Sequence, residues 1–466
     1  MTEKDFYPFK TTSKIDWKSQ IEKDLKGKDF NQTLVKTIWN EIQQQPFYTS
    51  EDLKEKPIQN RFSPPAEIPG LPPRTWSTSV SISPSNDKTE NKEILAALEN
   101  GADAIVMELD RDPNWSELLK DVLLPYIHIY LKPLQNAGVI FLSFSKFIQQ
   151  IDLNQSDLHG GFLWSPTGDL LETNGDFEKK IALTQQVISD WKEYPSFYPI
   201  CVDFSTYRNS GGTGIQELTF GFGEIIEIVS SLTDLGIEAK TCFENMMIHS
   251  SVAEEFFPEI AKLKSLRNLF SSVANQFDAK ISAENIHLIC STSTWSHSFL
   301  DKNSNLIRQT YEAMASVLGG SNSIWVIPTV GENSNTLEKR IAKNVSLILK
   351  EESYLDKVVD PSSGSYYLGS LESEICGIVQ SNIVNLESKG GWLMSFQTRE
   401  LQTSIRETRV LIQNQILNET LVKVGANKYQ PSKKLENNIE FLDFQEEEFQ
   451  LSPTRASYLL EKSLAQ

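Results

Sequence analysis

The sequence predicts an α/β protein built on a (β/α)8 (TIM) barrel, with an extended N-terminal arm and a short C-terminal helical segment. Three observations carry this. From about residue 74, short β-rich runs alternate with helical patterns. Eight such runs can be counted, the number that closes a parallel barrel. Residues 1–73 lack the alternation, and the chain beyond about 371 reads as mostly helical. An open doubly wound sheet is the alternative that the count leaves open.

The elements follow in order. The arm begins with an amphipathic helix in "DWKSQIEKDLKGKDF" (16–30), continues through "QPFYTSEDL" (45–53) and reaches the proline-rich "SPPAEIPGLPP" (63–73). Such a stretch is extended and buries little surface by itself, so it should lie along the barrel or along a partner. The strand-like runs are "WSTSVSIS" (76–83), "AIVMEL" (104–109), "IHIYL" (127–131), "VIFLSF" (139–144), "ICVDFS" (200–205), "EAKTCFEN" (238–245), "IHLICSTS" (286–293) and "SIWVIP" (323–328). Helical patterns fall between them, such as "NKEILAALENG" (91–101). In the stretch 255–277, Phe256, Ile260, Leu263 and Leu266 recur at helical spacing and should face a sheet. Beyond 371 come "LESEICGIVQSNIVNLESKGG" and "RETRVLIQNQILNET", an acidic "FLDFQEEEF" (441–449) and a last helix in "SYLLEKSL". The expected division is 1–73 arm, 74–395 barrel and 396–466 C-terminal helical extension.

Composition narrows the class. The 466 residues carry 44 Lys plus Arg against 62 Asp plus Glu, a net charge of −18. A chain this acidic repels nucleic acid phosphates and anionic lipid heads, so neither is an expected partner. No run of about 18 apolar residues would span a membrane. The start, "MTEKDFYPFK", has no apolar h-region, so a cytoplasmic location is expected. Cys201, Cys242, Cys290 and Cys376 lie far apart with no CxxC, which fits buried reduced thiols.

Few motifs carry chemistry by spacing alone. The histidines (His128, His159, His249, His287, His297) show no HxxxH or HExxH, so no metal site is expected. The glycines of "GGTGIQEL" (211–218) and "VLGGSNS" (317–323) lack Walker or GxGxxG context and read as a turn and a helix C-cap. There is no GxSxG. Two features remain. "STSVSIS" puts Ser77, Ser79, Ser81 and Ser83 on one strand face. That face would suit a barrel holding something long and polar on its axis; otherwise it points outward to a helix layer or solvent. "ICVDFSTYRNSGG" (200–212) is a strand that ends on Tyr207 and Arg208 and then bends, as strand ends that present catalytic groups do. Trp164, Trp325 and Tyr207 are large enough to plug an axial channel if they point inward.

Several stretches, in order, resemble one family. "TYEAMASVLGGSNS" (310–323), "RIAKNVSLILKEES" (340–353), "VVDPSSGSYYLGSLESEI" (358–375), "FFPEIAKLKSLRNLF" (256–270), "EILAALENGADAI" (93–105), "DWKSQIEKDLKGKDF" (16–30) and "VGANKY" (424–429) are similar to adenosylcobalamin-dependent acyl-CoA mutases, specifically methylmalonyl-CoA mutases. The resemblance spans roughly residues 15–430. It implies a (β/α)8 barrel, an arm that wraps a partner subunit, and an axis lined by small polar side chains around the pantetheine tail of coenzyme A. Ser77, Ser79, Ser81 and Tyr207 are then candidates for lining such a substrate channel.

The departures from the family pattern are as informative. Catalytic chains carry a cobalamin domain with a DxHxxG motif whose His ligates cobalt. The chain ends at Gln466 before such a domain, and its near match "DLHGGF" has Phe162 where Gly is required. The "RQYAGF"-like first strand is replaced by "WSTSVSIS", and "GTIQND" has no counterpart. The family's "SGYHMQEAG"-like segment becomes "STYRNSGGT": Tyr207 keeps the Tyr, and Arg208 replaces a His that assists the rearrangement. A guanidinium cannot cycle a proton, though it still donates hydrogen bonds. The resemblance therefore implies the small, non-catalytic subunit of a heterodimeric methylmalonyl-CoA mutase. In this reading Tyr207 and Arg208 are degenerate site positions, and no catalytic, cofactor or metal residue is expected. Adenosylcobalamin sits in the large partner subunit, and the isolated chain could form a homodimer. The alternatives are an active mutase barrel working with a separate cobalamin-binding chain, and a barrel that only binds an acyl-CoA.

Overall fold

The computed structural model describes residues 12–53, 71–83, 86–329, 335–430 and 444–465. Much of the proline-rich stretch (63–70) and part of the acidic run (441–443) lie outside the described residues. The barrel strands are β1 Ser77–Ile82, β2 Ala104–Leu109, β3 His128–Pro133, β4 His159–Phe162, β5 in two pieces (Phe197–Tyr198 and Ile200–Asp203), β6 Met246–Val252, β7 His287–Thr292 and β8 Ser323–Trp325. Every pairing is parallel, and the order runs β5-β4-β3-β2-β1-β8-β7-β6-β5. The break in β5 falls at Pro199, which has no N–H to give a ladder. The first piece pairs with β4 and the second with β6, while Cys201 N donates to Trp164 O at 2.9 Å across the gap. The sheet thus closes as the eight-stranded α/β barrel the alternation predicts.

Six of the eight expected strands stand where the β-rich runs put them. Two do not. "VIFLSF" lies inside the helix Ala137–Gln150. Ile140, Phe141, Phe144 and Ile148 are its buried face, and Val139 and Leu142 are exposed. A six-residue apolar run does not distinguish strand from helix; the helical period shows only over the whole segment. "EAKTCFEN" is the helix Ala239–Glu244, and the strand begins just after it, at Met246. The two strands not foreseen are β4 ("HGGF") and β6 ("MMIHSSV"). Glycine disfavours strands, but at β4 nothing else fits. A Cβ at Gly160 would lie 1.9 Å from Ile129 O, and one at Gly161 2.2 Å from Tyr198 O.

Helices coat the barrel. The largest apolar cluster joins β5, β6 and β7 to the helices Gly214–Asp234, Phe256–Gln276 and Tyr366–Ser388. Ile260, Leu263 and Leu266 are fully buried in it, as their spacing predicts; each contributes about 1.5–3 kcal/mol of burial. The helix Gly214–Asp234 starts with a capping box: Gln216 N donates to Thr213 Oγ1 at 3.2 Å and Thr213 N donates to Gln216 Oε1 at 2.9 Å. Gly320 closes the helix Lys302–Gly319 at φ 93°, the C-cap expected of "VLGGSNS". None of the four cysteines is in a disulfide, and three of them are buried.

The described part of the arm packs on its own chain. A hairpin, Lys36–Ile38 paired with Ile42–Gln44, inserts Trp39 and Ile42 into the main cluster. Trp39 lies over Gly214, where a Cβ would come within 2.6 Å of its ring. Gln44 Nε2 donates to Tyr367 Oη at 2.7 Å. Among the described residues no helix is long and apolar enough to cross a membrane.

Candidate functional site

The serine face of β1 turns inward. Ser77 Oγ lies 3.0 Å from His128 Nδ1, and Ser79 Oγ lies 2.6 Å from Ser323 Oγ. Thr78, between them, turns outward to Ser346 Oγ. The interior they face is packed. Val106, Tyr130, Cys201, Met247, Ile289 and Trp325 form one buried cluster on the axis. Beneath it the Tyr130 hydroxyl lies 2.8 Å from His287 Nε2, and the Tyr198 ring stacks on His287 at 4.9 Å. Burial holds His287 well below the usual imidazole range and takes His128, with help from His159, down to about 4. These rings are uncharged at neutral pH and are held by the Ser77 and Tyr130 hydroxyls.

The C-terminal end of the barrel is hollow. A cavity of about 830 Å³ opens there, lined by Ser81 on β1 and Ser83 just after it, Glu108 on β2, Lys132 on β3, Trp164 after β4, Asp203 on β5, His249 on β6, Ser291 on β7 and Trp325 on β8. This is the face where barrel enzymes place their active sites, because the loops that follow the strands can vary without disturbing the sheet. Gln450, Leu451, Ser452 and Pro453 of the C-terminal segment form part of its wall. Thr454 N donates to Asn209 O and Ala456 N to Trp295 O, both at 2.9 Å, and hold that segment down.

A hydrogen-bonded chain runs along the cavity wall. His249 Nδ1 lies 2.9 Å from Asp203 Oδ1, and its Nε2 lies 2.9 Å from Ser291 Oγ. Ser205 Oγ donates to Asp203 Oδ1 at 2.6 Å. Burial pushes the Asp203 carboxyl up, but His249 and Ser205 outweigh it and hold it at about 2. Lys132 Nζ pairs with Glu108 Oε1 at 3.1 Å. Burial would lower this ammonium's pKa, yet Glu108 and Asp203 raise it, so it stays charged. An imidazole fixed between a carboxylate and a hydroxyl can accept and return a proton. These residues were not singled out from the sequence. The available signal was a polar side chain at an inward position near the end of each strand-like run, in "ICVDFS" and "IHLICSTS".

Tyr207 and Arg208, by contrast, lie outside the cavity wall. Both belong to the short helix Ser205–Asn209, and both are buried. The Tyr207 hydroxyl donates to Glu224 Oε1 at 2.5 Å and accepts from Trp392 Nε1 at 2.7 Å. Its ring packs with Phe220, Phe396 and Leu401, so it does not plug the axis. Arg208 binds Glu255, Glu259 and the Gly212 carbonyl. Lys262 joins the same network, 2.5 Å from both Glu217 Oε2 and Glu259 Oε2. Burial would lower the Arg208 pKa, but Glu255 and Glu259 raise it, and the guanidinium is a fixed charge. Of the four channel candidates, Ser77, Ser79 and Ser81 share the interior face, and only Ser81 reaches the cavity; Tyr207 stands apart.

The Asp157–His159 near match lies away from the cavity. His159 opens β4 at the N-terminal end of the barrel, with its ring 5.6 Å from that of His128. The glycines that follow are pressed against the carbonyls of the neighbouring strands.

Comparison with known proteins agrees with this architecture. The family profile described as "Methylmalonyl-CoA mutase" matches residues 177–458, more than half of the chain. A protein of Porphyromonas gingivalis named "Methylmalonyl-CoA mutase small subunit" is 25% identical over 92% of this chain and 71% of its own length. One of the same name from Propionibacterium freudenreichii subsp. shermanii is 22% identical over 91% of this chain and 68% of its own length. A "Methylmalonyl-CoA mutase" of Rhizobium meliloti is 31% identical, but over only 53% of this chain and 34% of its own length. The chain thus spans about a third of that relative.

Proposed function

The chain belongs to the methylmalonyl-CoA mutase family, and from that premise we propose that it is the small, non-catalytic subunit of a heterodimeric adenosylcobalamin-dependent methylmalonyl-CoA mutase. The large subunit then binds the cofactor and isomerises methylmalonyl-CoA and succinyl-CoA. This chain binds no cofactor and stabilises the dimer, in the cytoplasm. The observation that carries the reading is the filled axis. An acyl-CoA tail threading the barrel would have to displace Tyr130, Met247 and Ile289, each fully buried, and break the Tyr130–His287 contact. Repacking several buried side chains at once costs far more than one ligand contact returns. Two further points support it. Small-subunit relatives match nine-tenths of the chain, whereas the Rhizobium relative matches half. Arg208 is held in a structural ion network rather than presented to a ligand.

Co-expression with a large subunit tests the proposal. Size-exclusion chromatography is expected to give a 1:1 complex, and two separate peaks would sink it. The two alternatives, an active barrel with a separate cobalamin chain and an acyl-CoA-binding barrel, both need an open axis, which the packing of Tyr130 opposes.

A further inference from the structure

We propose that the cavity at the C-terminal mouth of the barrel binds a small organic cation, an amine, rather than the anionic thioesters of the family. The inference does not rest on the subunit role and goes beyond it. Two indole rings, Trp164 and Trp325, form part of the wall. Both are more than nine-tenths buried, and the Nε1 of each is buried without a partner. Aromatic faces attract cations through the ring quadrupole.

The charges point the same way. Glu108, Asp203 and Glu172 all line the cavity. Lys132 shows what this setting does to an ammonium. Its Nζ is 3.1 Å from Glu108 and 6.0 Å from the centre of the Trp325 ring, and it remains charged although buried. Glu90, Glu93 and Asp169 line it as well, so six carboxylates face two ammoniums, Lys132 and Lys339. The Glu172 pKa is raised by burial, with Asp203 and Asp169 adding to it against Lys132 and Lys180. A monocation of a few heavy atoms would supply counter-charge. The carboxylate and phosphates of an acyl-CoA would add to the repulsion. The volume, about 830 Å³, suits a small ligand, and the segment Gln450–Pro453 is placed to close over it.

Calorimetry on the full chain at low salt tests this, with ethanolamine, putrescine and choline as probes and succinate and coenzyme A as anionic controls. At least one amine is expected to bind, and neither anion. Asp203→Asn and Glu172→Gln should each weaken amine binding by about tenfold, and Lys132→Gln should tighten it by about tenfold. The opposite signs separate a ligand site from a folding effect, and circular dichroism checks that each variant is folded. If Asp203→Asn does not fold, Glu172→Gln at the cavity wall carries the test. No heat from any amine at about 10 mM, preferential binding of an anion, or loss of affinity in Lys132→Gln would each overturn the proposal. None of these outcomes bears on whether the chain co-elutes with a large subunit.

Discussion

Glu224 is fully enclosed, accepting from the Tyr207 hydroxyl and from Thr167 Oγ1. Burial raises its pKa to about 8 against an ordinary 4.5, despite those two hydrogen bonds. The folded chain therefore keeps a proton that the unfolded chain releases. The stability this contributes is fully present below about pH 4.5 and is lost as pH rises through about 8. Glu224→Gln keeps the shape and removes the titration. Its urea midpoint should match that of the parent near pH 5 and exceed it near pH 8, and parallel pH profiles would disprove this. Arg208 has a different role. Arg208→His should give no mutase turnover in the isolated chain, because the residue faces Glu255 and Glu259 and not the cavity. It should also lower stability by about 3–5 kcal/mol, since Glu259 is left in the interior with one partner fewer. Turnover in that variant, assayed with adenosylcobalamin, would overturn the first statement, and an unchanged urea midpoint the second. Neither role of "TYR" at 206–208 is legible in the sequence, where Tyr207 and Arg208 mark only a strand end. Which way a side chain points after the bend depends on helices far along the chain, those carrying Glu224, Glu259 and Trp392.

At the scale of the element, the strands divide by how much of their register the sequence records. β2 and β3 are apolar runs bounded by turns, and they were legible. β6 was not, because His249, Ser250 and Ser251 break its apolar pattern although every residue of the strand is buried. Their partners are on other strands and helices: Ser291 for His249 and Glu217 for Ser250. β4 was hidden by its glycines, whose reason is the approach of the β3 and β5 backbones. That approach makes a strong prediction. Gly161→Ala should keep the barrel from closing, because its Cβ would strike Tyr198 O. A cost above about 4 kcal/mol or failure to accumulate folded protein is expected, measured by circular dichroism and thermal melting. A melt unchanged from the parent would mean that β4 and β5 are not so close. The helix Ala137–Gln150 shows the converse case. Its signal was present in Ile140, Phe141, Phe144 and Ile148, and reading the full segment rather than its densest six residues recovers it.

At the scale of the whole molecule, the packed interior is what supports the proposed subunit role over an enzyme. An axis occupied by Tyr130, Met247 and His287 predicts that coenzyme A thioesters at millimolar concentration give no heat with the isolated chain. Saturable binding would show that the interior can open and would favour an acyl-CoA-binding role. By itself the sequence determined the α/β class, from alternating runs and helices and a family pattern across most of the length, and it favoured a closed ring while leaving an open doubly wound sheet as the alternative. Those are local or additive signals, because strand and helix periods and motif order survive without knowledge of neighbours. Only the tertiary structure decided what fills the barrel and what is left hollow. The inward serines became a packed wall because His128, Tyr130 and Ser323 arrive from other strands. The site at the mouth formed because Asp203, His249 and Ser291 sit on three adjacent strands. Contacts between residues dozens of positions apart depend on register and closure, which no short stretch of sequence encodes.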